Sequence, residues 1–84
     1  KLEVSSLRKF AGTYGPRKVT LENGVLFYQR DQGTKYELYP FSDHEFMLKG
    51  LETFRIRFLS ENNKVVALQG LYDNGYTDKN LRDN

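Results

Sequence analysis

Few side chains in this sequence could do chemistry, and their spacing argues against most of it. A nucleophilic hydrolase needs a serine or cysteine with a base held in hydrogen-bond reach. The chain has no cysteine and a single histidine, His44, directly after Asp43. It has no Gly-x-Ser-x-Gly elbow. Ser5, Ser6, Ser42 and Ser60 fall at a helix start or in loops, where a hydroxyl is favoured for bonding the backbone. Lys9 could meet Ser5 or Ser6 as a Ser–Lys dyad by helical spacing, yet helix capping accounts for both serines without it. The segment is therefore expected to be non-catalytic. Asp73, Asn74 and Asp78 surround Gly75 in a way that superficially suggests a calcium loop. The glycine is at the wrong position and no distal bidentate glutamate follows, so no metal or other cofactor is expected.

Two basic residues carry more information. Asn23-Gly24 is a strong two-residue hairpin signal, requiring positive φ at both positions. Its register sets Arg17 opposite Arg30 on the inward face, at the far end of the hairpin from the turn. Like charges directly opposite destabilise a sheet unless an anion lies between them. That anion can be internal, Asp73 or Asp78, in a charge-assisted pair closing one end of the fold. Otherwise it is the carboxylate or phosphate of a ligand.

The same register constrains the opposite face. It turns Val25, Phe27, Tyr39 and Met47 outward, with Gln29 and Glu37 among them. A contiguous apolar patch of this kind marks an interface. Glu37, Glu45 and Glu52 interrupt the basic residues there, so nucleic acid is not the expected partner.

These residues must be positioned by strands. Leu21 pairs with Leu26 and Val19 with Tyr28 across Asn23-Gly24. The three-residue loop Asp31-Gln32-Gly33 sets Tyr28 opposite Tyr36 and Leu26 opposite Leu38. A loop around Ser42-Asp43 sets Leu38 opposite Phe46 and Tyr36 opposite Leu48. Side chains alternate with period 2, so all three hairpins agree on one dry face. Further on, Phe54, Ile56 and Phe58 alternate with Arg55 and Arg57. A three-residue Glu61-Asn62-Asn63 loop would place Ile56 opposite Leu68 and Phe58 opposite Val66. Gly70 then lies across from Phe54, where its missing side chain makes room for a ring. Strands are expected at 18–22, 25–30, 34–39, 45–49, 54–59 and 64–72, after a first short one at 12–15 stopped by Pro16. Residues 4–10 read as a short helix with Ser5 or Ser6 as N-cap and Leu7 and Phe10 on one side. Everything after Asp73-Asn74-Gly75 reads as a polar tail.

Eighty-four residues make one domain, 1–84, near the lower limit for a single core. Six Phe and six Tyr substitute for the disulfides the chain cannot form. A net charge of +2 with interspersed signs points to no polyanionic partner. No apolar run is long enough to span a bilayer, and no signal peptide is legible. The first residue is Lys1 rather than methionine, which suggests one module of a longer protein. Seven or eight short strands in meander order argue for a sheet closed on itself, a small antiparallel barrel capped by the short helix.

Several motifs together resemble a known family. They are Phe10-Ala11-Gly12-Thr13-Tyr14-Gly15-Pro16-Arg17, Leu21-Glu22-Asn23-Gly24, Tyr28-Gln29-Arg30, Phe54-Arg55-Ile56-Arg57-Phe58 and Gly70-Leu71-Tyr72-Asp73-Asn74-Gly75. They look like the small C-terminal domain of some bacterial tail-specific (C-terminal-processing) serine peptidases. A more distant resemblance is to the lipocalin-like domain appended to β-lactamase-related serine hydrolases, with its Gly-x-Tyr opening and Asn-Gly-x-Leu hairpin. Both resemblances imply a miniature lipocalin-like barrel, non-catalytic, attached to an exported hydrolase in the periplasm or outside the cell. No residue here matches the family's nucleophile or lysine base. The expected function is that of an accessory domain that docks on, positions or oligomerises a serine peptidase. Its partner would be a catalytic domain of the same chain or a second protomer. The alternative is a barrel that binds a small ligand with its aromatic interior and Arg17/Arg30.

Overall fold

A computed structural model describes residues 4–83. The chain is all-β: eight antiparallel strands form one sheet in strict sequence order, curled into a nearly closed barrel with one short helix at the start. The helix α1 covers Val4–Leu7 and continues into a single 3-10 turn, Arg8–Phe10. It starts at Val4, so Ser5 and Ser6 lie within its first turn and neither is the N-cap expected from sequence. The strands are β1 Gly12–Tyr14, β2 Arg17–Glu22, β3 Val25–Arg30, β4 Lys35–Pro40, β5 Glu45–Leu48, β6 Leu51–Glu61, β7 Lys64–Tyr72 and β8 Thr77–Leu81.

Turn chemistry sets the register of the first hairpins. Asn23 and Gly24 both have positive φ, and the ladder pairs Leu21 with Leu26 and Val19 with Tyr28. Asp31 also sits at positive φ, and its three-residue loop pairs Tyr28 with Tyr36. Tyr28 is buried and Phe27 is not, as the alternation requires.

Elsewhere the pairing differs from expectation by two residues. Leu38 faces Leu48, not Phe46, and Phe46 faces Pro40. The turn centres on Asp43, because the Ser42 hydroxyl oxygen accepts the Glu45 N–H (3.2 Å) and the Phe41 N–H bonds the Glu45 carbonyl. A slip of two keeps every side chain on its face, so the core is unchanged. Leu26 and Leu38 are not paired either. The β3–β4 ladder stops at Phe27/Glu37 and the strands part beyond it.

The β6–β7 hairpin turns on Asn62-Asn63, both at positive φ, not on a three-residue loop. Such a turn alone would send Ala67 and Gln69 inward. A bulge between Leu59 and Ser60 restores the parity, so that Ile56 pairs with Gly70, Phe58 with Leu68 and Phe54 with Tyr72. The expected Ile56/Leu68 and Phe58/Val66 pairs are therefore replaced. From Leu68 onward the expected face is kept, but at the bulge Val65 and Ala67 are buried and Val66, expected inward, is only half-buried.

Strand β8 is the element that sequence reading took for tail. Its inward positions are Asp78 and Asn80, so it carries no apolar alternation to read. Past β8 the chain returns to β1 and closes the barrel: the Asp83 N–H bonds the Thr13 carbonyl (2.8 Å), and Arg82 donates from Nη2 to the Ala11 carbonyl (2.6 Å) and from Nη1 to the Val65 carbonyl (3.2 Å). These bonds join the chain after β8 to β1, although no ladder pairs β1 with β8 among the described residues.

The interior holds two tiers of rings. Under the helix, Phe10 stacks on Phe58 with centroids 4.5 Å apart and meets Phe46 edge-on, while Tyr14 adjoins Phe58 and bonds the Phe10 carbonyl through its hydroxyl (2.7 Å). At the other end Tyr28, Phe54 and Tyr72 form a second tier. Val19, Leu26, Leu48, Ile56 and Leu68 complete the core. Each buried ring contributes several kcal/mol, about 3–5 on truncation, which is how a chain this short folds without a disulfide.

Candidate functional site

The centre of interest is the end of the barrel away from the helix. Arg17, the first residue of β2, points inward and is completely buried. Its Nη2 donates to Asp78 Oδ1 at 2.7 Å and to the Tyr72 hydroxyl at 3.2 Å, and that hydroxyl donates to Asp78 Oδ2 at 3.0 Å. Of the two internal anions open in the sequence, Asp78 is the one used and Asp73 is not. Asp73 is exposed in the turn after β7, where its N–H bonds the Thr53 carbonyl, whereas Asp78 faces inward across from Gly70. The space for the pair comes from that glycine. A Cβ at position 70 would lie 2.6 Å from Asp78 Oδ1 and 2.9 Å from both Arg17 Nη2 and Phe54 Cε1. Gly70 lies across from Ile56 rather than from Phe54 as expected, yet it makes room for the neighbouring Phe54 ring and for the ion pair beside it.

Burial disfavours the charged form of Asp78, but the bonds from Arg17 and Tyr72 outweigh it and hold the carboxyl below its usual range. Burial likewise works against the Arg17 charge and is overcome by the Asp78 bond and the neighbouring tyrosine hydroxyls. The guanidinium remains incompletely paired. Its Nε and Nη1 are buried and have no hydrogen-bond partner. Arg30 stands directly opposite Arg17 on β3, as the hairpin register requires, and forms no ion pair among the described residues. It lines an open cleft of about 320 Å³ with Tyr28, Tyr36, Leu51, Thr53, Phe54 and Tyr72.

The outer face of β3–β5 is the second candidate. Tyr39 and Met47 are cross-strand neighbours, both exposed, and Met47 in turn adjoins Arg55. Val25 and Phe27 are half-buried, and the Lys35 ammonium lies 5.2 Å from the Phe27 ring centre. Phe41, not foreseen, is 57% exposed beneath the Arg55 guanidinium, 4.6 Å from the ring centre. An aromatic residue inside a turn was the only signal for it. Where β3 and β4 part, an apolar groove of about 260 Å³ opens, lined by Leu7, Val25, Leu26, Leu38, Tyr39 and Phe46 among others. Patch and groove therefore form one continuous surface sharing Val25 and Tyr39. Glu45 borders it, accepting from Arg57 Nε and Nη2 at 2.9 and 2.7 Å.

The chain matches no protein-family model, no curated protein and no solved structure.

The remaining candidates hold the backbone in place. Ser42 and Asn74 close turns, Asn74 Oδ1 accepting the Tyr76 N–H at 3.0 Å. Asp43 and His44 bond each other at 2.7 Å on an exposed loop, and the histidine holds the Asp43 carboxyl below its usual range. The Lys9 ammonium sits over the Phe10 ring. Among the described residues no cluster of three or more metal-ligating acids or histidines occurs, and no helix is long and apolar enough to cross a membrane.

Proposed function

We propose that this chain is a non-catalytic accessory barrel that docks through the outer face of β3–β5 onto the catalytic domain of a serine peptidase. The observation that carries the docking is the continuity of exposed Tyr39, Met47 and Phe41 with the apolar groove between β3 and β4. Such a surface is contiguous, unlike singly scattered exposed side chains, which need no explanation. The state of the interior supports the same reading. Tyr14, Phe46 and Phe58 are almost entirely buried and in mutual or shared ring contact, which leaves the barrel packed at its centre rather than hollow. The nature of the partner rests on the motif resemblance alone.

An aromatic anchor at the centre of a contact typically provides much of its affinity, and Tyr39 is central here. The test is calorimetric titration of the chain with the catalytic domain of a tail-specific peptidase, with light scattering of the chain alone beside it. Wild type should bind the catalytic domain, and the Tyr39→Ser/Met47→Ser double variant, still folded by circular dichroism, should not. Self-association abolished by the same variant would keep the docking face and replace the partner with a second copy. No association of either kind at about 100 μM, well above the Kd of most specific complexes, overturns the proposal.

A further inference from the structure

The end of the barrel at Arg17 has a charge arrangement that the docking face does not use. Two arginines, Arg17 and Arg30, stand opposite each other in the β2–β3 ladder, and the carboxylate of Asp78 pairs with Arg17 alone. Asp78 bonds only Nη2 of Arg17. Two further guanidinium nitrogens, Nε and Nη1, are fully buried without a partner, a costly state for charged donors. Beside this guanidinium is a cleft whose walls are the rings of Tyr28, Tyr36, Phe54 and Tyr72 and whose rim carries Arg30, with Arg17 fully buried behind those rings. Arg17 lies against that wall: its Cζ is 5.9 Å from the Phe54 ring centre and its Nη2 bonds the Tyr72 hydroxyl.

We propose that this cleft binds a small carboxylate carried on an apolar or aromatic body. The carboxylate is received by Arg30 at the rim, the Arg17 charge behind the Phe54 and Tyr72 rings adds to the attraction, and the body lies among the four rings. Each part answers a feature of the site. A monoanion neutralises the second arginine, which has no ion-pair partner among the described residues. The ring walls and Leu51 favour an apolar body over a bare ion. The cleft volume of about 320 Å³ suits a ligand of a dozen or so non-hydrogen atoms, at the lower end of small-molecule sites. Guanidinium groups favour planar carboxylates through paired N–H donors.

The probe is 3-phenylpropionate, titrated into the full chain beside 3-phenylpropionamide and inorganic phosphate. Binding is read by calorimetry and by the Arg Nε–H resonances in ¹⁵N spectra. The acid should bind and shift the Arg30 Nε–H, and the amide should bind at least about tenfold more weakly, the worth of a charge-assisted contact. Arg30→Gln, a change at an exposed side chain that leaves the core intact, should weaken the acid about tenfold and bring it near the amide. Acid and amide binding alike, or an unaltered affinity in Arg30→Gln, overturns the proposal. So does an Arg30 Nε–H that stays still at saturation. Phosphate binding as tightly as the acid would show a general anion site and overturn the assignment of an apolar body.

Discussion

Removing the carboxylate of Asp78 is the sharpest test of the buried charge. Arg17 is fully buried, and among the described residues its side chain donates two bonds, both from Nη2, to Asp78 and to the Tyr72 hydroxyl. In Asp78→Ala the cation would keep one neutral acceptor. Breaking a buried pair from one side costs about 3–5 kcal/mol, because the remaining charge is desolvated and uncompensated. For a chain of this length each kcal/mol lowers Tm by about 4–8 °C, so Tm should fall by about 12 °C or more. The control is the double variant Arg17→Met/Asp78→Ala, which removes the charge along with its partner and should recover most of the loss. Urea unfolding followed by circular dichroism measures the whole cycle. The pH profile gives an independent reading. Because the folded state holds the Asp78 carboxyl below its usual range, its contribution is complete above the ordinary carboxylate range. It is lost as pH falls through the depressed folded value, and Asp78→Ala should remove that part of the acid sensitivity. A single variant within about 1 kcal/mol of wild type, the value of an exposed pair, would refute this account. A double variant as unstable as the sum of the two singles would do the same.

Gly70→Ala should destabilise by about 1–3 kcal/mol, the cost of overpacking, since its Cβ would strike Asp78, Arg17 and Phe54 at under 3 Å; an unchanged urea midpoint would mean the end of the barrel is loosely packed. Arg82→Ala should open the seam between β1 and the chain after β8 by freeing the Ala11 and Val65 carbonyls, read as faster amide exchange in β1 with the β6–β7 hairpin unaffected. Alkali should weaken the helix end: burial pushes the Tyr14 hydroxyl up to about 12 despite the nearby Arg82, so its contribution is intact below its unfolded pKa and lost as pH rises from there to the folded value. Tyr14→Phe should flatten that alkaline limb, and an unaltered limb would place the titration elsewhere.

The face of each strand from β2 to β6 was legible from sequence, and the exact pairing was not. Alternation with period 2 is carried by every residue of a strand, so Leu21, Leu26, Tyr28, Leu38 and Phe58 were assigned inward without knowledge of partners. Pairing depends on turn geometry, which a handful of residues decide. Asn23-Gly24 states its turn outright. Asn62-Asn63 does so equally, but the bulge between Leu59 and Ser60 that reconciles it with the core leaves no mark in the residue types. The β4–β5 turn slipped by two because Ser42 closes it by a side-chain bond rather than by a glycine. At the candidate site, Arg17 opposite Arg30 followed from the first turn alone. The choice of Asp78 over Asp73 did not, because it required β8 to be a strand. Its inward residues are polar for the very reason that one of them pairs with Arg17.

That reciprocity says where function can sit in so small a barrel. The helix end is closed by Phe10, Phe46 and Phe58 in ring contact, and no polar group is left there without a partner among those named. The opposite end gives up apolar packing to seat a charge: Gly70 removes a side chain, and Asp78 takes a core-facing position on β8. A hydrophobic replacement of such a pair is often neutral or stabilising, so stability by itself gives no reason to prefer the arginine. A ligand in the cleft would provide one, since the pair holds the Tyr72 hydroxyl from both sides and so fixes a ring of the cleft wall. If Arg17→Met/Asp78→Ala proves as stable as wild type yet no longer binds 3-phenylpropionate, the pair is kept for binding. If the double variant is as stable and the affinity is unchanged, the charge serves neither purpose and the cleft is only the open end of a barrel.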